Sequence, residues 1–574
     1  MKKLMTYLLI TLFVCVTCAS CSSKVSDLYA PVYYPSSGDQ SDEFLLNSGE
    51  SYNEITENPF IHTTYNSDSY FSMDSFTASY ANLRRYIQNG MKISSNIIKT
   101  DELINYFRYQ LAEPLDGETF GITAQMQTSF WNEETKLLTV GIQTKTEKLE
   151  TTMGNNFVFL IDVSGSMSSK NKLPLLQDGF CLLIDTLSEH DRISIVTYAS
   201  GLKTILDGGS GDEKEMLKQT IRSLKAGGAT YGEQGLKKAY EIAEKHFIPS
   251  GNNRVILASD GDFNVGIHAQ EELQTFITGK RDTGIYLTTL GVGMGNYKDT
   301  TMETLAKYGN GGYAYIDTIE EAKKVLVDEI DKTLVTVAKD VKNKMHFNSN
   351  VVESYRLIGY ENKKLTEEDF NDETKDAGEV GSGHTTMVCY ELVLKQDANL
   401  DAEKIFDVQI NYKEPKTNQD LTSKKEFGYL DLQSITEDFY FVGALIEFSL
   451  VLRNSPYKGT ANCQSVLDRL VADCSTSLKE DECRQKFYHL VEQAVAQELL
   501  PDAESTIILE MHTDYGIKSI CLPQYAPLTP NMIKQYAYGE KQEGTIMVYL
   551  DQDYSMLFQE VNITGNTIVY LRYE

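Results

Sequence analysis

Between residues 151 and 338, short apolar runs alternate with longer stretches in which apolar side chains return every three or four positions. The runs fall at 157–162, 191–198, 254–259, 285–291 and 313–317, and the periodic stretches near 172–189, 212–226, 233–247, 268–280 and 319–338. An unbroken apolar run marks a strand covered on both faces, and the longer period marks a helix with one apolar side. Their alternation predicts a doubly wound, mostly parallel Rossmann-like sheet with helices on both faces. The run 202–206 follows Tyr198 after a tight Ser200-Gly201 turn and predicts a single antiparallel edge strand.

The pattern changes on either side. Residues 115–150 and 350–430 show short strand patterns separated by polar turns, which is β-sandwich material. Residues 437–455 and 464–500 are helical in period, and 501–574 is strand-like again, as in Thr545-Ile-Met-Val-Tyr-Leu550. The fold class expected is multidomain α/β plus β, the α/β sheet being flanked by β-sandwich-like and helical segments. The two strand-rich stretches are expected to pair into one composite sandwich from which the α/β domain projects.

Candidate chemistry sits where the first apolar run ends. In Phe157-Val-Phe-Leu-Ile-Asp-Val-Ser-Gly-Ser-Met167, a carboxylate and two hydroxyls follow the strand at alternate positions: Asp162, Ser164 and Ser166. Gly165 permits the sharp turn that lets them converge. Oxygen donors without nitrogen or sulfur suit Mg²⁺, with Mn²⁺ or Ca²⁺ as alternatives, rather than zinc. Alone, such spacing is an ordinary polar turn. Two further donors strengthen it: Thr230 in the glycine-rich run Ala226-Gly-Gly-Ala-Thr-Tyr-Gly232, and Asp260 at the end of Arg254-Val-Ile-Leu-Ala-Ser-Asp260. Ligands of open α/β sheets bind beyond the carboxyl ends of the strands, where both aspartates fall.

These five positions resemble the metal-ion-dependent adhesion site of the von Willebrand factor type A (VWA) domain. The resemblance implies that Ser164, Ser166 and Thr230 ligate the ion directly, that Asp162 and Asp260 act largely through water, and that a partner's acidic side chain fills the open position. Further motifs resemble the flanking domains of a bacterial family of type A proteins. They are Asn58-Pro-Phe60, the run from Tyr70 to Tyr80, Arg84-Arg85 and Asp101-Glu-Leu-Ile-Asn-Tyr-Phe107, then Tyr355-Arg-Leu-Ile-Gly-Tyr-Glu361, Gly381-Ser-Gly-His384 and Asp438-Phe-Tyr-Phe441. That resemblance covers roughly 58–495. It departs at Asp74-Ser75-Phe76, where the family has a second aspartate.

The amino terminus resembles a bacterial lipoprotein signal. Lys2 and Lys3 precede an apolar stretch at 4–16, shorter than the ~20 residues a membrane span needs, and Ala19-Ser20-Cys21 resembles a lipobox with Cys21 as the acylated residue. Cys18 departs from the apolar residue usual there. Ser22 after Cys21 favours the outer membrane by sorting resemblance. The organisation expected is a signal at 1–20, a tether at 21–58, an amino-terminal VWA-associated domain at 59–150, the VWA domain at 151–338, a carboxyl-terminal associated domain at 339–500 and an unassigned tail at 501–574.

A chain of 574 residues with 41% hydrophobic residues can hold several cores, and its net charge of −29 disfavours nucleic acid and anionic lipid as partners. Six cysteines lie beyond the signal and lipobox, and the spacing of Cys463, Cys474 and Cys483 suggests a local disulfide in an exported protein. Cys181 reads as a core residue. The run Asp260 to Glu271 mimics an EF-hand loop but has Val265 where the glycine is needed. Gly291-Val-Gly293-Met-Gly295 lacks full dinucleotide spacing and reads as a strand-exit loop. No nucleophile elbow or His-Glu-x-x-His is present, and His384, the most tempting base, reads as structural. The leading expectation is a non-enzymatic, lipid-anchored binding module at the bacterial envelope, recognising a carboxylate on a protein or polymer through Mg²⁺. The alternatives are an envelope scaffold or assembly factor with a structural metal site and metal-independent contacts, and an envelope hydrolase.

Overall fold

The structure, a computed structural model, describes residues 49–73, 76–147, 154–229, 232–249, 251–261, 267–329, 335–372, 377–400, 402–415, 417–499 and most of 506–573. Its α/β part is built on a six-stranded sheet in the order Tyr313–Ile316, Ile285–Val292, Asn252–Ser259, Asn155–Asp162, Arg192–Tyr198, Leu202–Ser210. The first five strands are parallel, and the sixth runs antiparallel at the edge, as its tight turn requires. Phe157, Phe159 and Ile161 pack against helix Leu173–Thr186, while Val158 and Leu160 pack against helix Gly232–Lys245 on the opposite face. Burial on both faces explains the absence of polar alternation in this strand.

The helical period read over 319–338 ends early. Helix Ile319–Lys323 continues as a π-helical turn over Lys324–Asp328, and Thr336–Phe347 is a strand. The run Leu334-Val-Thr-Val337 is mostly β-branched, a composition that favours strands. Strand pairing with Lys404–Lys413 then outweighs the local helical pattern.

The two strand-rich stretches do pair. Thr385–Leu394 lies antiparallel to Lys136–Thr144, with Val388 opposite Val140, in a sheet ordered Ile61–His62, Val352–Ile358, Thr385–Leu394, Lys136–Thr144, Phe120–Thr128. A second sheet, containing Thr336–Phe347, Lys404–Lys413, Asp420–Gly428 and the inserted strand Asp68–Ser72, faces it. Phe71, Val140, Phe347, Tyr390 and Phe406 share the core between them. Residues before and after the α/β sheet therefore build one sandwich.

A helical lobe completes the body. Helices Ala78–Gln88, Thr100–Asn105, Glu437–Leu452, Cys463–Asp473 and Glu482–Ala496 share a core containing Tyr80, Phe107, Phe441, Phe448 and Phe487. The tail contributes a sheet ordered Gly516–Pro523, Thr506–Thr513, Thr567–Tyr573, Ile546–Tyr549, and Leu509, Met511, Val569 and Leu571 join the same core. The expected local disulfide is absent: Cys463, Cys474 and Cys483 are all free. Cys463 opens a helix and Cys474 closes it, which separates them by about 16 Å at helical rise, far beyond disulfide reach.

Buried ion pairs join the helical lobe to the α/β sheet. Arg84 Nε donates to Asp317 at 2.7 Å and its Nη2 donates to Glu321 at 2.7 Å. Arg85 bonds both oxygens of Glu50, at 3.0 and 2.7 Å, and Lys99 Nζ reaches Asp299 at 2.9 Å. Asp101 pairs with Lys363 of the sandwich side at 2.6 Å. The Arg84-Arg85 and Asp101 motifs are thus fastenings between parts of the body. Losing one partner of such a pair leaves a desolvated charge, a cost of about 3–5 kcal/mol.

Glu102 lies in this seam, buried, with one oxygen accepting the Ser79 N–H at 3.0 Å and the other 3.4 Å from Lys99 Nζ. Burial, helped by the charges of Glu303 and Asp101, pushes its carboxyl up to about 8, against the pull of Lys99 and Lys363. The folded state therefore keeps a proton that the unfolded chain gives up above the usual carboxylate range. The associated stability is complete below about pH 4.5 and is lost as pH rises through about 8. Glu102→Gln should flatten that dependence: urea unfolding at pH 6 and pH 9 should show the wild type losing more stability than the variant. Equal losses would contradict a protonated Glu102.

Candidate metal centre

Strands Asn155–Asp162 and Asn252–Ser259 are neighbours, with Ile161 opposite Ala258, so their carboxyl ends bring Asp162 and Asp260 to the same edge of the sheet. The chain runs outward from Asn155–Asp162 in one direction, then returns to add strands on its other side. This edge is the topological switch point. Both aspartates are fully buried.

The turn after Asp162 is held by its own carboxylate. The Ser164 N–H donates to Asp162 Oδ1 at 2.8 Å, and the Ser259 hydroxyl donates to Asp162 Oδ2 at 3.1 Å. With both oxygens engaged, Asp162 fixes where the serines point. The hydroxyls of Ser164 and Ser166 lie 3.0 Å apart. Ser164 is buried and Ser166 exposed, so the pair forms a polar lip at the surface.

A neighbouring loop closes one side. Gly227 N–H donates to Val163 O at 2.7 Å and Gly165 N–H donates to Gly228 O at 2.9 Å, bringing the glycine-rich segment beside the serines. Gly228 has φ +94, and a Cβ there would meet Ser200 Oγ at 2.3 Å. Only glycine fits without displacing Ser200, which also accepts the Ala229 N–H. Thr230 lies outside the described residues, two positions beyond this contact.

Asp260 has different company. Lys172 Nζ donates to its Oδ2 at 2.9 Å, the Asn296 amide donates to the same oxygen at 3.0 Å, and Lys172 also reaches Asn296 Oδ1 at 2.8 Å. Burial pushes the Asp162 carboxyl up to about 6, offset in part by Ser164 and raised further by Asp260. Burial works on Asp260 too, but Asn296, Lys172 and Ser166 outweigh it and hold that carboxyl low. A buried carboxylate under this strain beside two converging hydroxyls is chemistry that fits a hard cation. Among the described residues no group of three or more His, Cys, Asp or Glu side chains is arranged to hold a metal ion. A donor set of hydroxyls with two carboxylates would not form such a cluster.

Sequence reasoning did not anticipate Lys172, Ser259 or Asn296. Ser259 adjoins Asp260 and could have been read with it, whereas Asn296 carries no local signal. The strand-exit reading of 291–295 agrees with the structure: the next helix begins only at Asp299. Within the EF-hand mimic, 262–266 lies outside the described residues, as does Cys21. His384 is buried in a sandwich turn, its backbone N–H donating to Thr144 Oγ1 at 2.8 Å.

Comparison with known proteins identifies the family. The model described as von Willebrand factor type A domain matches residues 156–332, one described as von Willebrand factor matches 46–139, and "Uncharacterized protein YfbK, C-terminal" matches 332–497. The chain is 36% identical over 449 residues to protein YfbK of Escherichia coli (strain K12), covering 74% of this chain and 77% of that protein. The chain belongs to the YfbK-like family of VWA-containing bacterial proteins. It therefore carries a domain of a kind known for protein–protein interaction and often metal-dependent. A more distant relative is the voltage-dependent calcium channel subunit alpha-2/delta-2 of Mus musculus, 22% identical over 237 residues, 39% of this chain and 20% of that protein. Among solved structures, von Willebrand factor type A from Catenulispora acidiphila is 13% identical with TM-score 0.39, covering 65% of this chain and 89% of that one.

The loop contact at Gly228 generates a direct test. Gly228→Ala forces an L-residue into the left-handed region and into Ser200, a cost of about 1–3 kcal/mol. A lowered urea midpoint with native circular dichroism is the expected result, and an unchanged midpoint would show that the loop is not held against Ser200.

Proposed function

We propose that this protein is a lipid-anchored binding module of the bacterial envelope whose VWA domain recognises a partner's carboxylate through a divalent cation, Mg²⁺ in the first instance. The observation that carries this reading is the convergence of Asp162, Ser164, Ser166 and Asp260 at one sheet edge, with the two hydroxyls 3.0 Å apart. Ser164, Ser166 and Thr230 would hold the cation. Its contribution when bound is Lewis acidity at one open position, which a partner Asp or Glu fills. The chain's own residues do the rest: Asp162 orients Ser164, Ser259 fixes Asp162, and Gly165 and Gly228 keep the two loops in contact. Donors that are mainly neutral hydroxyls leave the cation electron-poor, which favours ligation of a carboxylate over hydrolytic turnover.

Anchoring through Cys21 and outer-membrane placement belong to the same proposal, supported by the lipobox resemblance. No helix of the described residues is long and apolar enough to cross a membrane. A metal-independent scaffold is the second reading, and the Lys172–Asp260 pair favours it, because one carboxylate is already neutralised without a cation.

Two experiments test the proposal. Thermal melting of the body with chelator and then with Mg²⁺, Mn²⁺ or Ca²⁺ should show a metal-dependent rise in stability, about 2.7 kcal/mol at a hundredfold excess over Kd. That rise should vanish in Asp162→Ala, whereas a metal effect that survives the substitution would place binding elsewhere. For the anchor, Cys21→Ala should abolish incorporation of labelled fatty acid and move the protein from the membrane to the soluble fraction. Retention in the membrane fraction without label would exclude Cys21 acylation as the anchor.

A further inference from the structure

Lys172 occupies a position that helix physics disfavours. It is the N-cap of helix Leu173–Thr186, where a residue with a side-chain acceptor is preferred, and it provides no side-chain cap. A positive charge at a helix amino terminus also opposes the helix dipole. The side chain leaves the helix end, becomes almost wholly buried and runs across the loop after Ile285–Val292.

That loop is shaped for it. Gly293 has φ +85, and a Cβ there would lie 2.1 Å from Lys172 Cε, 2.6 Å from Cγ and 2.7 Å from Cδ. The Tyr315 hydroxyl donates to the Gly293 carbonyl and holds the slot in place. The ammonium emerges on Asp260 Oδ2 and Asn296 Oδ1. A charge placed against local propensity, in a groove that only glycine leaves open, has a purpose at its far end.

Charge arithmetic defines that purpose. Asp162 and Asp260 together carry two negative charges, which a divalent cation would balance. With Lys172 present the loaded centre carries one net positive charge, and an arriving carboxylate makes it neutral. Without Lys172 the loaded centre is neutral, and the same carboxylate would leave a buried negative charge.

Resting on the metal reading above, we propose that Lys172 is a built-in counter-cation: it holds Asp260 back from direct ligation, lowers the affinity of the centre for divalent cations, and leaves the loaded centre positive for a carboxylate partner. The lysine thus makes the site selective for the ternary state over the merely metal-bound one.

The test is titration calorimetry with Mn²⁺ and with Mg²⁺ on the wild-type body, Lys172→Met and Asn296→Asp. Methionine keeps the unbranched stem in the Gly293 slot and removes the charge. Aspartate at 296 keeps the lysine and offsets it, so it decides the matter should Lys172→Met not fold. Both variants should bind Mn²⁺ at least about tenfold more tightly than wild type. Wild-type binding with unchanged or weaker affinity in a folded variant would overturn the role of Lys172 while leaving the metal reading intact. Tight binding in the variants with none in the wild type would support the counter-cation and overturn metal-dependent recognition by the native protein. No binding in any of them would overturn both.

Discussion

The parallel pairing of Asn155–Asp162 with Asn252–Ser259 is the constraint on which the rest of the structure depends. From Phe157 and Val255 onward both strands are apolar and covered on two faces, and the polar residues that end these runs, Asp162 in one and Ser259-Asp260 in the other, fall at one edge of the sheet. Two buried carboxylates then stand together, a costly arrangement unless each is satisfied. Asp162 is satisfied by its own turn and by Ser259, and Asp260 by a lysine delivered through a glycine slot. The centre is therefore asymmetric: one aspartate organises donors, while the other is already partly neutralised.

A second layer of buried charge holds the body around this sheet. Arg84 and Lys99 lie in or just before helices that precede the sheet in sequence, and their partners Asp317, Glu321, Asp299 and Glu303 come from its last elements. Ion pairs of this kind add little net stability over apolar packing, but they penalise every arrangement in which a partner is missing. They suit a chain whose sandwich is assembled from segments on both sides of an inserted domain, because they specify how the segments meet.

Much of this was legible in the sequence because burial leaves a direct trace. The unbroken run at 157–161, one of five that alternate with helical periods, marked a strand with two covered faces, and Gly165 between the serines marked a turn. The helical reading of 319–338 failed because local period cannot register a partner strand some seventy residues later; pairing with Lys404–Lys413 decided the matter. Of the expected cysteine pairings, Cys463–Cys474 fails for a geometric reason, since a helix holds the two at opposite ends. Lys172 was invisible because a lysine at the start of a helix reads as solvated, and its destination depends on Gly293 and Asn296, more than a hundred residues away.

One further contact has a mechanical meaning. Residues 49–53 lie along the loop that carries Asn296: Gly295 N–H donates to Glu50 at 2.8 Å, Ser51 N–H to Tyr297 O at 3.0 Å, and Asp299 N–H to Ser51 O at 3.1 Å. Glu50 is bolted in turn to Arg85 and Tyr86. The amino-terminal end of the body is thus clamped across the loop that positions Asp260. The segment at 50–51 and the loop that positions Asp260 are one hydrogen-bonded unit, so that displacing either carries Asn296, and with it one of the partners of Asp260, along.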